Sequence, residues 1–293
     1  MSRFSEKFAA LAREGRTALM PYATAGDPSL AWTERLIDRL AAAGADMIEL
    51  GIPYSDPLAD GPTVQAAGQR ALAAGTTVRG VFDTVKRIRA AHPGLPIAIL
   101  VYYNCIFRWG EARFVEAARD SGVDAFVVPD LPPDEAAGLQ GLMQERGLDL
   151  AYLLAPTSTA PRIDLVAREA AGFIYCVSLT GVTGARATLS ERLRPLIARV
   201  REGLARAERQ VPLVVGFGIS TVEHVREVAG MAEGVIVGSK LIDLLAGAPS
   251  PEEGVARCAE LVAAMRQALE EAAALRRSGG DAQAGTAALR SGS

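Results

Sequence analysis

The sequence predicts an α/β protein: a single (β/α)8, or TIM, barrel with extra helices. A short apolar run, a turn and an amphipathic stretch recur eight times along the 293 residues, which is the pattern of successive βα units. The apolar runs are continuous, as expected for parallel strands covered on both faces. Eight such units in about 250 residues match the usual size of a closed barrel, and an open doubly wound sheet is the alternative.

The elements follow one another in a regular order. The eight predicted strands begin at Thr17, Asp46, Ile97, Asp124, Asp149, Phe173, Pro212 and Gly234. Helices are predicted for an N-terminal segment and for residues 111–121, 133–146, 161–170, 190–207, 221–229 and 251–275. Asp27 and Pro28 are predicted to cap and open a further helix, which Gly44 ends.

Two segments depart from the repeat. Between the second and third strands lie a loop at residues 53–61 and two helical stretches, which predict an elaborated second βα loop at the active-site end of the barrel. We assign residues 1–275 to the catalytic barrel. Residues 276–293 lack apolar periodicity and are expected to form a flexible tail without a catalytic role.

The composition excludes several classes of protein. With 49% hydrophobic and 22% charged residues, the chain can bury a sizeable core. A formal net charge of -3 gives no general attraction to nucleic acid or to an anionic membrane surface. No run approaches the ~18 apolar residues of a membrane span, and the N-terminus has no secretory apolar core. We therefore expect a cytoplasmic protein.

Few residues suit metal binding or covalent catalysis. The three cysteines are far apart without a C-x-x-C pattern, and neither histidine has a neighbouring ligand type, so no metal site is expected. The only lysines, Lys7, Lys86 and Lys240, lie outside the predicted strands, so a Schiff-base lysine inside the barrel is missing. Lys240 could touch an anion or stay solvated. The chemistry is therefore expected to depend on carboxylates.

Glu49 is the most informative residue, because it interrupts an otherwise apolar strand near its carboxyl end. Because side chains alternate along a strand, Glu49 lies on the other face of the strand from Ile48 and Leu50. If Ile48 and Leu50 face the helices, Glu49 points into the barrel. A buried carboxyl group without a partner is expected to have a raised pKa, as acid-base catalysis requires. The alternative is a strand-end glutamate paired with an arginine.

The loop after that strand, PYSDPLADG, carries Asp56 and Asp60. Aspartates beside proline and glycine are often only turn formers. For Asp56 the sequence does not favour a functional role over this turn-forming role. Asp60 can fold back over the mouth of the barrel from the end of the Glu49 strand. Two carboxylates in different surroundings can divide acid, base and electrostatic roles.

Glycine-rich turns follow the last three strands: GVTGAR at 181–186, GFGIS at 216–220 and GSK at 238–240. In barrels this quarter often binds a phosphate through backbone N–H groups and a helix N-terminus, which requires close backbone approach. Each turn alone could be an ordinary tight loop. Three in adjacent units predict a phosphate site.

Motifs spread along the chain resemble those of one family. They are IELGIPYSDPLADGP at 48–62, PYATAGDP from Pro21, VVPDLPP from Val127, GVTGAR from Gly181 and GFGIS from Gly216. Taken in their order along the chain, these motifs are similar to those of the tryptophan synthase alpha subunit family. The resemblance covers roughly residues 1–270. It implies a lyase that splits indole-3-glycerol phosphate into indole and glyceraldehyde 3-phosphate.

The resemblance also implies residue roles. Glu49 would protonate the indole ring carbon and then help to deprotonate the glycerol hydroxyl, while Asp60 would hold and polarise the indole N–H. The implied phosphate site is Gly184, Gly218, Gly238 and Ser239; the implied indole pocket is Tyr22, Leu100, Val127 and Tyr175; Thr183 lies on the neighbouring loop.

A protein partner is implied as well. It is a beta subunit that carries pyridoxal phosphate and receives indole in an alpha2-beta2 tetramer, so this chain would hold no cofactor. The predicted docking surface is Pro53, Asp56, Asn104 and Phe107, although Asp56 could only shape a turn and Phe107 could only cover a helix. A stand-alone lyase and a catalytically silent barrel that activates a partner are the alternatives.

Overall fold

The structure is a computed structural model that describes residues 2–178 and 189–290. Eight parallel strands form a closed barrel in sequence order, and β1 closes on β8 with Ala18 opposite Gly234. The strands are β1 (Ala18–Thr24), β2 (Ile48–Gly51), β3 (Ile97–Leu100), β4 (Ala125–Val127), β5 (Asp149–Leu154), β6 (Ile174–Val177), β7 (Leu213–Gly216) and β8 (Gly234–Val237). The predicted barrel is confirmed, and the open sheet is excluded.

Helices alternate with these strands and cover the outside of the barrel. Within the described ranges they are α1 (Arg3–Arg13), α2 (Leu30–Ala42), α3 (Pro62–Ala73), α4 (Val78–Ala91), α5 (Tyr103–Trp109), α6 (Glu111–Ser121), α7 (Ala137–Glu145), α8 (Ala160–Glu169), α9 (Leu189–Arg206), α10 (Val222–Ala229), α11 (Ser239–Ala246) and α12 (Pro251–Arg290). The second βα connection holds α3 and α4, as predicted. The short helix α11 after β8 was not predicted. Among the described residues, no helix combines the length and the apolar character needed to cross a membrane.

The residues on the two faces of each strand enter different layers. Ile48 and Leu50 belong to the core between the strands and the helices, whereas Met47 belongs to the cluster inside the barrel. Glu49, between Ile48 and Leu50, therefore faces inward, as the alternation predicts. It lies opposite Tyr22 of β1 and Ala98 of β3 in the strand register.

Helix α1 closes the N-terminal end of the barrel. It begins at an N-cap, Ser2, whose hydroxyl accepts a hydrogen bond from the N–H of Ser5 at 3.2 Å. Its buried face packs Phe4 against Phe173, with ring centroids 5.5 Å apart, and Phe8 joins the same interior cluster. Apolar side chains thus fill the end of the barrel opposite the carboxyl ends of the strands.

The cap predicted for α2 was wrong. The N-cap is Ser29, whose hydroxyl accepts from the N–H of Trp32, and not Asp27. Asp27 is buried and accepts two hydrogen bonds from Arg70, at 2.9 and 2.7 Å, so its carboxylate is not available to the helix. This bidentate pair ties the loop after β1 to α3.

The end of the chain also differs from expectation. Helix α12 continues through Arg290, where the sequence predicted an irregular tail from residue 276. Residues 276–290 contain no proline, so every residue of the segment can donate its backbone N–H to a continuing helix. Arg276 and Arg277 also donate to the carbonyl oxygens of Ala229 and Glu14, the second at 2.7 Å. The domain boundary at residue 275 stays a prediction.

Candidate active site

Glu49 lies on β2 with its side chain inside the barrel. Its side chain is 0% exposed, and among the described residues neither carboxylate oxygen has a hydrogen-bond partner. Burial, and then the negative charge of Asp60, raise the pKa of Glu49 to about 8. The alternative of a glutamate paired with an arginine finds no support in these contacts. A carboxyl group that is protonated at neutral pH can donate a proton to a substrate.

Asp60 reaches the same interior from the loop that follows β2, just before α3. Burial raises the pKa of Asp60 to about 6, and a hydrogen bond from the Tyr102 hydroxyl partly opposes this shift because it stabilises the charged form. The same hydroxyl accepts the N–H of Ala59 at 2.9 Å. Asp60 is therefore held next to the end of β3 and is charged at neutral pH.

The two carboxylates share one cavity at the carboxyl ends of the strands. The cavity volume is about 50 Å³, which is well below the usual range for small-molecule sites, so a substrate would have to displace part of the lining. It is lined by Tyr22, Glu49, Asp60, Val64, Leu100, Tyr175, Phe217, Gly218, Ile219, Ile236, Gly238 and Ser239. Its walls are mainly apolar and aromatic, which suits contact with a flat hydrophobic ring.

Three of the four residues predicted for an indole pocket line this cavity: Tyr22, Leu100 and Tyr175. Val127 does not line it. It pairs with Leu100 in the register of β3 and β4 and is fully buried in the barrel interior. It therefore lies beside Leu100 in the barrel interior.

A glycine at the end of β2 makes room for the Tyr22 ring. A Cβ atom at Gly51 would lie 2.1 Å from the Tyr22 hydroxyl oxygen, closer than any real contact. Gly51 is therefore needed for the position of this aromatic wall beside Glu49. Periodicity in the sequence does not reveal this requirement, because it depends on a contact between two strands.

The predicted phosphate residues lie together on the β7 and β8 side of the cavity. Gly218 follows β7, Gly238 caps α11, and Ser239 is the first residue of α11. The first N–H groups of a helix lack intrahelical partners and carry a partial positive charge, so this side of the cavity suits an anion. Lys240 is not among the lining residues. Gly184 and Thr183 lie outside the described residues.

The predicted docking residues meet at the mouth of the barrel. Asp56 and Asn104 are exposed, Phe107 is 65% exposed, and Pro53 is buried. Leu58, which is not among the predicted docking residues, is 95% exposed on the same loop as Asp56. A mixed polar and apolar surface thus surrounds the opening of the cavity.

Comparisons with known proteins agree with this geometry. The chain matches the family described as "Tryptophan synthase alpha chain" over residues 8–270. The tryptophan synthase alpha chain of Geobacter sp. (strain M21) is 50% identical over 242 residues, or 83% of this chain and 88% of that relative. The chain belongs to the tryptophan synthase alpha chain family.

Other members of the tryptophan synthase alpha chain family are similar over nearly their whole length. The protein of Geobacter sulfurreducens is 46% identical over 269 residues, or 92% of this chain and 99% of the relative. The structure of subunit alpha from Legionella pneumophila str. Paris has a TM-score of 0.82 at 35% identity and covers 92% of this chain and 99% of that one. Family membership assigns the chain to tryptophan biosynthesis, with the lyase activity of the alpha reaction.

The family assignment fits a chain without its own cofactor. Among residues 2–178 and 189–290, no group of three or more His, Cys, Asp or Glu side chains could hold a metal ion. The cavity lining supplies two carboxyl groups, those of Glu49 and Asp60.

The raised pKa of Glu49 predicts how stability depends on pH. The folded state binds this proton more tightly than the unfolded chain does, because the pKa is about 8 instead of 4.5. Stability contributed at this position is therefore lost as the pH rises from 4.5 through 8. We expect Glu49→Gln to change the free energy of unfolding little at pH 5 and to raise it by up to about 4 kcal/mol at pH 9. Urea unfolding at both pH values measures this. If Glu49→Gln changed the free energy of unfolding by the same amount at pH 5 and at pH 9, the result would contradict the raised pKa of Glu49.

Proposed function

We propose that the chain cleaves indole-3-glycerol phosphate to indole and glyceraldehyde 3-phosphate by a retro-aldol reaction. The observation that carries this proposal is the unpartnered, fully buried Glu49 in an apolar cavity that it shares with Asp60. The anion-binding side at Gly218, Gly238 and Ser239 lies in the same cavity. A substrate with an aromatic ring at one end and a phosphate at the other matches both regions.

The proposed chemistry uses Glu49 twice. In the first step its carboxyl proton goes to the indole ring carbon that bears the glycerol chain, which gives a cationic ring. In the second step the Glu49 carboxylate removes the proton of the adjacent glycerol hydroxyl. The carbon-carbon bond then breaks, its electron pair restores the indole ring, and the hydroxyl carbon becomes the aldehyde. Glu49 ends protonated, as it began, so the cycle closes without a lysine imine or a metal ion.

Asp60 is proposed to stabilise the cationic ring. Its carboxylate would accept the indole N–H, and that interaction strengthens as the positive charge develops. Near neutral pH Asp60 is charged, with a pKa of about 6, while Glu49 is protonated, with a pKa of about 8. The first step therefore finds Glu49 protonated, so that it can donate its proton, and Asp60 negatively charged, so that it can stabilise the cationic ring.

The other residues of the cavity are proposed to bind the substrate. Tyr22, Leu100 and Tyr175 would contact the indole ring, with Val127 behind them. Gly218, Gly238 and Ser239 would bind the phosphate, together with Gly184 and the loop of Thr183.

We further propose that the chain works with a beta subunit in an alpha2-beta2 tetramer. Solved structures similar to this chain include tryptophan synthase from M. tuberculosis, with a TM-score of 0.81 and 30% identity. The partner would carry pyridoxal phosphate, receive indole, and dock on Pro53, Asp56, Asn104 and Phe107. A cytoplasmic location belongs to the same proposal and rests on the family's biosynthetic role.

The deciding experiment measures indole released from indole-3-glycerol phosphate by the isolated chain, with and without a beta subunit. We expect slow release alone and a large stimulation by the partner. Fast release by the isolated chain, with no stimulation, would favour a stand-alone lyase. No release in either case, with stimulation of the partner's own reaction, would favour a silent activating barrel.

The docking surface gives a separate prediction. Asp56 is exposed on the loop that carries Asp60, so Asp56→Ala should keep the fold and the basal activity while it reduces stimulation by the beta subunit about tenfold. Titration with beta subunit, followed by indole production, measures this. Asp83→Ala, on the outer surface of α4, is the matched control and should behave like the native chain. Unchanged affinity and stimulation in Asp56→Ala would remove Asp56 from the interface.

A further inference from the structure

A four-residue turn at residues 57–60 leads into α3 and ends at Asp60. The Asp60 N–H donates to the Pro57 carbonyl at 3.3 Å, and the Ala59 N–H donates to the Tyr102 hydroxyl at 2.9 Å. Both bonds hold the main chain on the N-terminal side of Asp60. The peptide group that joins Asp60 to Gly61 needs a different contact to fix its orientation.

Gln65, near the start of α3, supplies that contact. Its side-chain amide nitrogen donates to the Asp60 carbonyl at 2.8 Å and lies 3.5 Å from the Pro57 carbonyl oxygen. Both neighbours are carbonyl oxygens, which only accept hydrogen bonds, so the side chain must present its NH2 group to them. One amide group thus spans the two ends of the turn.

Helix α3 gives Gln65 a fixed support. Ala67 and Ala71 of this helix are 0% exposed, and the helix packs against β1 and α11. Arg70 donates two hydrogen bonds to buried Asp27 on the loop after β1, at 2.9 and 2.7 Å. A bidentate pair of this kind fixes orientation as well as distance. Gln65 therefore reaches the turn from a helix that is anchored to the barrel.

The direction of the Asp60 side chain depends on the two peptide planes that meet at its Cα atom. The Gln65 bond fixes the plane on the C-terminal side. Gln65 itself is exposed and is not among the residues that line the cavity, whereas its neighbour Val64 is. Gln65 can therefore affect the reaction through Asp60 without contact to the substrate.

We propose that Gln65 is a positioning residue for Asp60: its amide fixes the peptide plane that follows Asp60, and with it the direction of the carboxylate in the cavity. This inference rests on the proposed function, because it assumes that Asp60 acts on the substrate. A charge that stabilises a transition state must be aimed at the developing charge, and a displacement of about 1 Å can cost much of the rate. Loss of the Gln65 bond should therefore lower kcat more than it changes KM.

The test uses Gln65→Met, which keeps the length of the side chain but cannot donate a hydrogen bond. Gln69→Met is the matched control, because Gln69 is exposed one turn further along the same helix. Both variants are measured for kcat and KM with saturating beta subunit and for the urea midpoint. The exchange of the Asp60 N–H with solvent, followed by NMR, reports on the turn independently of activity.

A double-mutant cycle separates an effect through Asp60 from any other effect. Gln65→Met is also introduced into Asp60→Asn, and the residual indole release of both proteins is measured at high enzyme concentration. If Gln65 acts by aiming the carboxylate, its loss has little left to change once the carboxylate is gone.

We expect Gln65→Met to lower kcat about fivefold to tenfold, with KM and the urea midpoint close to the native values. The Asp60 N–H should exchange roughly fivefold faster or more, because the turn opens more often. In the Asp60→Asn background the same substitution should change kcat by less than about twofold. Gln69→Met should match the native chain in every measurement.

Three results would overturn the inference. They are a native kcat in Gln65→Met, an equal loss of kcat in both backgrounds, and an unchanged exchange rate of the Asp60 N–H. Failure of the proposed function is separate, because the native chain would then release no indole with partner present. The exchange measurement would still decide whether Gln65 holds Asp60 in place.

Discussion

Glu49→Gln should lower kcat for indole release by ~10²-fold or more, while substrate binding is largely retained. The amide keeps the size and polarity of the side chain but has no proton to transfer. Glu49 is the fully buried carboxyl group of the cavity, with a pKa of about 8, so the protonated form that the native enzyme uses is removed. Steady-state kinetics with saturating beta subunit, together with the Kd of substrate, would separate the two effects.

A surface carboxylate provides the control. Glu116 on α6 pairs with Arg146 at the surface, and Glu116→Gln should stay within about twofold of the native rate. Asp60→Asn should lose turnover as well, because a neutral amide stabilises the cationic ring less than a carboxylate does. A Glu49→Gln variant with a rate near that of the native enzyme would mean that another group supplies the proton.

The second large effect is expected at the phosphate side. Gly218 lines the cavity with φ of +77°, and a side chain there would stand between the backbone and a bound anion. Gly218→Val should therefore raise KM for indole-3-glycerol phosphate by roughly 10²-fold. Expressed as free energy, this loss of substrate binding should exceed the loss in the free energy of unfolding. KM and the urea midpoint, measured on the same preparation, would test this.

Backbone strain alone must be separated from loss of the anion site. Gly147 has a similar φ of +71°, lies after α7, and has no atom within 4 Å of an added Cβ. Gly147→Val should match the loss of stability in Gly218→Val and keep the native KM. Indole glycerol without its phosphate should be cleaved equally poorly by native protein and Gly218→Val. A large difference between the two on that substrate would contradict the phosphate assignment.

The sequence predicted the barrel well, because parallel βα units leave a local signal. The run DLAYLL coincides with β5, Asp149–Leu154, and the segment 111–121 coincides with α6. The inward direction of Glu49 followed from alternation over a few residues. Such features depend only on neighbours in the chain, and one sequence is enough to detect them.

Contacts between distant segments left no such signal. Tyr102 meets Ala59 across 43 positions, so its hold on Asp60 depends on the path of a loop that periodicity does not describe. Arg70 meets Asp27 across the same separation, and that pairing is why the predicted helix cap failed. Val127 was placed in the pocket by resemblance, but it is not among the residues that line the cavity. Local patterns predict elements and faces, whereas loop paths decide the final partners.

The position of helix α1 has a practical consequence for linking the enzyme to a tag, a second domain or a solid support. The first residues of α1 meet the barrel at Asp149, where β5 begins, and Arg277 of α12 donates to the carbonyl of Glu14 at 2.7 Å. Both contacts lie at the end of the barrel opposite the mouth. A tag, a fused domain or a solid support linked at the N-terminus would leave the opening free for substrate and for a second protein. Immobilisation from that side is therefore compatible with assays in which the partner is supplied from solution.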